Sequence, residues 1–303
     1  MSASPAVPQS EETRRYRLAV QRVLWITLGL NLGVALAKFV VGLAVHSLSL
    51  VGDAAHSAID GFNNVIGLVA VGMAAKDADA EHPYGHSKFE TLAAFVLSGL
   101  LFLTCAQIAI EAVKRLISPP THVPEARIAA FAVALVTLLV NQGVARYEGK
   151  RGRELNSDFL IADAAHTRSD VLVTLTVLAS LVCVKLGYPR FDSVLSLVVA
   201  GFIGRIGYQV FRQTLPVLVD ASAVDETLVH EIVRSIPGVE APHAVRSRRS
   251  GSMVFVEMHL IVAAEHDATA AHAITEAVEA ALTRKLGPTT ATIHVETTRD
   301  CGW

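Results

Sequence analysis

DAAHSAID, residues 53–60, lies inside an otherwise apolar run, and DAAHTRSD, residues 163–170, repeats its pattern in another. Ionisable groups inside long apolar segments are costly, and where they occur they mark ion pathways or sites. The rest of the chain says what kind of apolar segment holds them. Of its 303 residues, 52% are hydrophobic and only 18% are charged, against about a quarter charged in an ordinary soluble protein. The net charge is −2, so there is no basic excess to displace counterions from a nucleic acid. Cys105, Cys183 and Cys301 are scattered, with no CxxC spacing for a disulfide framework or thiolate zinc knot. The start, MSASPAVPQSEETRRYR, lacks the layout of a signal peptide. Insertion into a membrane must come from the body of the chain.

A helix crosses a bilayer with about 20 predominantly apolar residues. Six segments meet that requirement: 18–43, 47–75, 90–117, 126–146, 157–186 and 191–212. The separators AKDADAEHPYGHSK, SPPTHVP, YEGKRGRE and GYPRFD read as turns or charged loops. Arg14, Arg15, Arg17, Lys76, Lys88, Arg146, Lys150, Arg151, Arg153 and Arg212 fall at one set of ends, while Lys114, Arg115, Arg127, Lys185 and Arg190 fall near the other. The richer side is the cytoplasmic one, which puts both termini inside. Lys38, near the outer end of the first span, is expected to snorkel to the interface.

After Arg212 charges spread through the sequence, as in soluble domains. DETLVHEIVRSI (225–236) has helical spacing and stops at Pro237-Gly238; AVRSRRSGSMVFVEMHLIV holds two strand-like runs about a turn at Ser250-Gly251. DATAAHAITEAVEAALTRKL is a helix ended by Gly287-Pro288, and TTATIHVET alternates as a last strand. The order αββαβ suits a sheet backed by helices. The expected fold is an α-helical membrane protein with six transmembrane helices followed by a cytoplasmic α+β domain. Its division is 1–14 as a disordered cytoplasmic N-terminus, 15–212 as the membrane domain and 213–303 as a cytoplasmic C-terminal unit.

The two opening stretches now acquire geometry. Residues four apart share a helix face, so His56 points with Asp60 and His166 with Asp170. The second and fifth spans run in opposite senses, so two His/Asp pairs can meet at one depth. Two imidazoles and two carboxylates have the types and number of a tetrahedral zinc site. Asp53 and Asp163 lie one turn to opposite sides of that centre, outward and inward, and are assigned to the approach and exit routes. Asn64, four beyond Asp60, lines the same face. A lone polar residue would be read as glue between helices; two copies of D-A-A-H-x-x-x-D on opposed spans argue for a site.

These motifs, the six spans and the αββαβ tail resemble the cation diffusion facilitator family of metal exporters, from roughly residue 15 to 297. The resemblance places the transport site at His56, Asp60, His166 and Asp170, and His56 inclines the cargo toward zinc. It makes Asp79, His82 and His86, in the loop DAEHPYGHSKFE, a secondary metal site, and pairs Lys88 with Asp220 as a tie between membrane bundle and tail or between dimer halves. It assigns His243, His259, His272, His294 and Glu296 to a dinuclear tail site at a dimer interface. Glu296 stands where the family more commonly has Asp. It implies a homodimer in the bilayer that exports Zn²⁺ in exchange for protons by alternating access, with zinc also a structural or regulatory ligand. Iron, cobalt, cadmium or manganese are the alternative cargoes, since affinity alone does not separate them. No enzyme activity is expected: a His-box metalloenzyme would need clustered HxxHH boxes, and an intramembrane metalloprotease needs HExxH. The Ala-rich composition suggests a bacterial inner membrane.

Overall fold

The computed structural model describes residues 11–44, 48–117, 128–185 and 189–297. The expectation for residues 1–10 and the separator SPPTHVP therefore lie outside the described residues, as does the side chain of His56. The elements are six long helices, α1 (Glu11–Ala44), α2 (Leu48–Ala74), α3 (Lys88–Ile117), α4 (Ile128–Leu155), α5 (Asp158–Lys185) and α6 (Pro189–Leu218). They are followed by α7 (Glu226–Arg234), β1 (Val239–Ser250), β2 (Met253–Val262), α8 (Ala268–Leu286) and β3 (Thr289–Thr297). Two compact units divide between Thr214 and Leu215.

In the first unit the starts of α1, α3 and α5 are fastened at one end. The Tyr16 hydroxyl lies 2.9 Å from both Glu90 carboxylate oxygens, and the Ser157 hydroxyl donates to the same carboxylate. Thr91 Oγ1 donates to Asp158 Oδ2 at 2.9 Å. The three helices therefore run in the same sense, and α4 comes back to this end before turning into α5. Beneath the clasp lies a core of Val20, Leu24, Leu97, Leu101, Phe159, Leu160 and Ile203. The outward faces stay apolar, with Trp25, Leu36, Leu103, Leu139 and Phe202 exposed, a surface that suits lipid.

Among the described residues, α1, α2, α3 and α6 are long and apolar enough to cross a membrane. One sequence expectation changes. The separator YEGKRGRE is not a loop: α4 runs through it to Leu155. Glu, Lys and Arg are good helix formers, and Arg151 Nη1 meets Glu154 Oε2 at 2.7 Å one turn on. Gly152 makes the sharp return possible, since a Cβ there would sit 3.0 Å from the Ile161 nitrogen and from Leu160 Cβ. Asn156 takes φ 53, a left-handed conformation that Asn tolerates.

The second unit is a three-stranded sheet in the order β1-β2-β3, with β1 antiparallel and β3 parallel to β2. Gly251, at φ 60, closes the β1–β2 hairpin, and Gly287, at φ 87, ends α8. Asp225 and Asp267 cap α7 and α8 by accepting from Thr227 N and Ala270 N. Side chains alternate between faces along a strand. Val256, Met258, Leu260 and Val262 of β2 are buried in a core shared with α7 and α8, including Val229, Val233, Val278 and Leu282. His259 accordingly faces away from the helices.

Candidate metal sites

The approach of α2 to α5 is set by one small residue. A Cβ at Gly67 would lie 2.2 Å from Phe159 Cε1 and 2.6 Å from Cζ, so only glycine fits against that fully buried ring. Seven residues, two turns, separate Gly67 from Asp60 on α2, and two turns separate Phe159 from His166 on α5. Because the helices are antiparallel, both steps go the same way, and the Gly67–Phe159 contact brings Asp60 and His166 together. His166 Nε2 is 3.6 Å from Asp60 Oδ1 and 3.9 Å from Asp170 Oδ2. One donor atom from each lies within 4.8 Å of the others. Four donors held about 2.0 Å from a tetrahedral ion stand roughly 3.3 Å apart, so these donors have to draw together by between about 0.3 and 1.5 Å to share one ion. His56 is one helical turn before Asp60 on α2.

Around this cluster the polar groups are ordered. Asp163, 3% exposed, accepts from Asn64 Nδ2 at 2.8 Å, and Asn64 Oδ1 accepts from Asn31 Nδ2 at 2.9 Å. Asp53 is half exposed but paired: Lys38 Nζ lies 2.9 Å from its Oδ2 and 2.8 Å from Ser57 Oγ. Lys38 is 4% exposed, so it does not snorkel. Its partners on α2 outcompete the interface because they satisfy the ammonium inside the bundle.

The loop between α2 and α3 gathers Asp79, His82 and His86. Asp79 Oδ1 accepts from His82 N at 2.7 Å and Glu81 N at 3.0 Å. The His82 N–H bond chiefly holds the Asp79 carboxyl below the usual carboxylate range. Asp79 Oδ2 is 3.4 Å from His86 Nε2, Asp79 Oδ1 is 3.6 Å from His82 Nδ1, and the imidazole centroids are 4.4 Å apart. His86 Nδ1 reaches Asp77 O at 3.1 Å, which fixes the ring and leaves Nε2 toward the cluster. Gly85 supplies the positive φ, 83, that turns the loop back.

In the second unit sheet register builds the site. His243 is opposite His259, and His259 is opposite His294, one histidine per strand. Glu296 follows His294 by two residues, hence on the same face. Its Oε1 is 2.7 Å from His259 Nδ1 and 3.9 Å from His294 Nε2, and its Oε2 is 3.4 Å from His243 Nε2. His243, His259 and Glu296 offer donors close enough for one ion. The extra methylene of Glu296 over Asp does not keep it from its neighbours. His272 is not gathered with them: it lies on α8, 3.5 Å from Glu276, and α8 covers the other face of the sheet. Asp220, at φ 55, is 3.7 Å from Arg248 Nη1; Lys88 begins α3 in the first unit.

One residue escaped the sequence reading. Glu148 on α4 has 0% exposure and faces Asp163, Thr27 and Thr167. Taking YEGKRGRE as a loop put it in water; extending helical spacing from Val144 and Ala145, both buried, places it inward.

A model of the cation efflux transmembrane domain matches residues 24–219, and a model of the cation efflux protein cytoplasmic domain matches 221–298. An uncharacterized transporter of Methanocaldococcus jannaschii is 30% identical over 91% of this chain and 98% of its own length. The cation-efflux pump FieF of Pectobacterium carotovorum is 29% identical over 82% of this chain and 83% of its own. Metal tolerance protein C1 of Arabidopsis thaliana is 29% identical over 85% of this chain, which spans 58% of that longer protein. With both family models together spanning most of its length, this chain belongs to the cation efflux family of membrane transporters, which move divalent metal cations and are not enzymes.

Proposed function

We propose that the chain is a Zn²⁺/H⁺ antiporter that carries zinc out of the cytoplasm by alternating access, with His56, Asp60, His166 and Asp170 as its transport site. The observation that carries this reading is the placing of two carboxylates within 4 Å of His166 Nε2 inside an apolar bundle. A dication relieves the cost of burying both acids, and its ligands are split between α2 and α5. Rocking one helix against the other dismantles the site and releases the ion. Metal ligands must be deprotonated to bind, so binding expels protons and protonation from the far side expels metal. Histidine beside two carboxylates supports zinc over harder ions; iron, cobalt, cadmium and manganese are the competing cargoes.

In this reading all six long helices span the membrane, residues 15–212 form the membrane domain and both termini lie in the cytoplasm, the membrane being a bacterial inner membrane. Residues 213–303 form a cytoplasmic unit with a ferredoxin-like order of elements. Two copies associate through it, and His243, His259, His294 and Glu296 of one copy, with His272 of the other, bind zinc there as a structural or regulatory ligand. Asp79, His82 and His86 hold a further ion, and Lys88 with Asp220 ties the two units or the two protomers together. Asp53, Asp163 and Asn64 line the path to and from the transport site.

The test uses full-length protein in vesicles holding a pH-sensitive dye. Zinc addition drives proton movement in the parent, and His166→Ala and Asp170→Ala each abolish it. Flux unchanged in both variants refutes the site, and zinc movement without proton movement refutes the exchange.

A further inference from the structure

Glu148 and Asp163 face each other across the α4–α5 hairpin, seven residues before the end of α4 and five after the start of α5. His166 is one helical turn farther from the turn at Asn156 and Ser157 than Asp163. Asp163 is therefore set between the clasped end of the bundle and the cluster of Asp60, His166 and Asp170, with Glu148 beside it.

What surrounds Glu148 is unusual for a carboxylate. Neither of its oxygens makes a hydrogen bond among the described residues, although the side chain is fully buried. The hydroxyls it faces, Thr27 and Thr167, have already committed their single protons to backbone: Thr27 Oγ1 donates to Leu24 O at 3.2 Å, and Thr167 Oγ1 donates to Asp163 O at 3.1 Å. A hydroxyl has one proton and two lone pairs, so both threonines present acceptors. Asp163 receives its hydrogen bond from Asn64 on Oδ2, which leaves Oδ1 available. Arg168 does not neutralise the pair. Its guanidinium lies against Gly149, its side chain is exposed, and no ion pair joins it to Glu148 or Asp163 among the described residues. Asn64 Nδ2 serves Asp163 Oδ2 and also donates to Thr27 Oγ1 at 3.3 Å, but a neutral amide does not balance two buried carboxylates, and their charge calls for a cation.

We propose that Glu148 and Asp163 form a second intramembrane cation site, an oxygen-only waypoint for a divalent ion, one turn from the His166 cluster toward the α4–α5 turn. Its role as a waypoint rests on the transport reading given above; its existence as a site does not. Oxygen donors suit hard divalent ions and hold zinc less tightly than a site with imidazole. An ion resting there passes readily to Asp60, His166 and Asp170 and is not trapped on the way.

The probe is Mn²⁺, whose free form is measured by room-temperature electron paramagnetic resonance. The full-length protein carries alanine at His82, His86, His243 and His259 and receives one equivalent of Zn²⁺ before Mn²⁺ is titrated. The parent is expected to bind one Mn²⁺ per protomer; Glu148→Gln loses it at least tenfold in affinity, and Glu148→Asp, which keeps the charge, retains it. His166→Ala removes the zinc equivalent but leaves Mn²⁺ binding in place, so failure of the transport cluster and failure of the waypoint give different patterns. A parent that binds no Mn²⁺, as a carboxyl pair sharing a proton would give, overturns the proposal. Equal Mn²⁺ binding by parent and Glu148→Gln overturns it as well.

Discussion

Gly67→Ala tests how closely α2 must approach α5. The added Cβ would stand 2.2 Å from Phe159 Cε1, where carbon atoms prefer about 3.5 Å or more. Phe159 is fully buried, so its ring cannot swing into solvent, and a gap of about 1.3 Å has to be opened between the helices. Moved by that amount, the 3.6 Å separation of His166 Nε2 and Asp60 Oδ1 becomes roughly 5 Å, beyond what one ion with ligands at about 2.0 Å can bridge. Overpacking of this kind costs about 1–3 kcal/mol in stability, and loosening the support of a metal ligand weakens binding by about 10–100-fold. Zinc affinity at the intramembrane cluster and vesicle transport are measured for Gly67→Ala, Phe159→Leu and the double variant. The double variant is expected to recover most of the affinity, because the shorter side chain vacates the space the methyl group needs. Residues in contact couple by about 0.5–3 kcal/mol in such a cycle. Wild-type affinity and rate in Gly67→Ala, or strictly additive single effects, would show that this contact does not set the site.

Two further outcomes follow from the contacts described. Lys38→Met leaves Asp53 and Ser57 without the ammonium they share and should lower stability by about 1–3 kcal/mol, read as an earlier thermal transition in detergent; adding Asp53→Asn should recover part of it, and no recovery would mean the ion pair does not matter. Glu296→Gln removes the negative charge nearest to three imidazoles and should weaken zinc binding by the tail at least tenfold in full-length protein carrying His166→Ala, measured by competition with a chelating dye, whereas unchanged binding would place the tail's zinc elsewhere.

The parts that could be read from the sequence were those in which periodicity acts directly. The four-residue spacing of Asp170 after His166 fixed a shared face before any coordinates, and alternation in MVFVEMHLIV and TIHVET put His259 and His294 on strands. Register was not legible: that His243, His259 and His294 stand side by side depends on a hairpin bulge between His243 and Arg246 and on a parallel crossover through α8, neither of which has a short-range signal. His272 shows the same limit in reverse. Its residue type fits a ligand set, but helix α8 takes it to the opposite face of the sheet.

Glu148 and Lys38 explain the remaining misreadings by one physical rule. Charged residues near the end of an apolar run were assigned to water or to the interface, because an isolated charge gains most from solvation there. Inside the bundle that preference is overturned by partners that no local window contains: Asp53 and Ser57 for Lys38, and the acceptors grouped around Asp163 for Glu148. For Lys38 the partner is an anion and the pair closes on itself. For Glu148 the partner is a second anion, so the arrangement stays incomplete without a cation. In a family that moves divalent metal cations, an incompletely neutralised acidic pair beside the transport cluster is better understood as part of the ion's route than as a defect of folding.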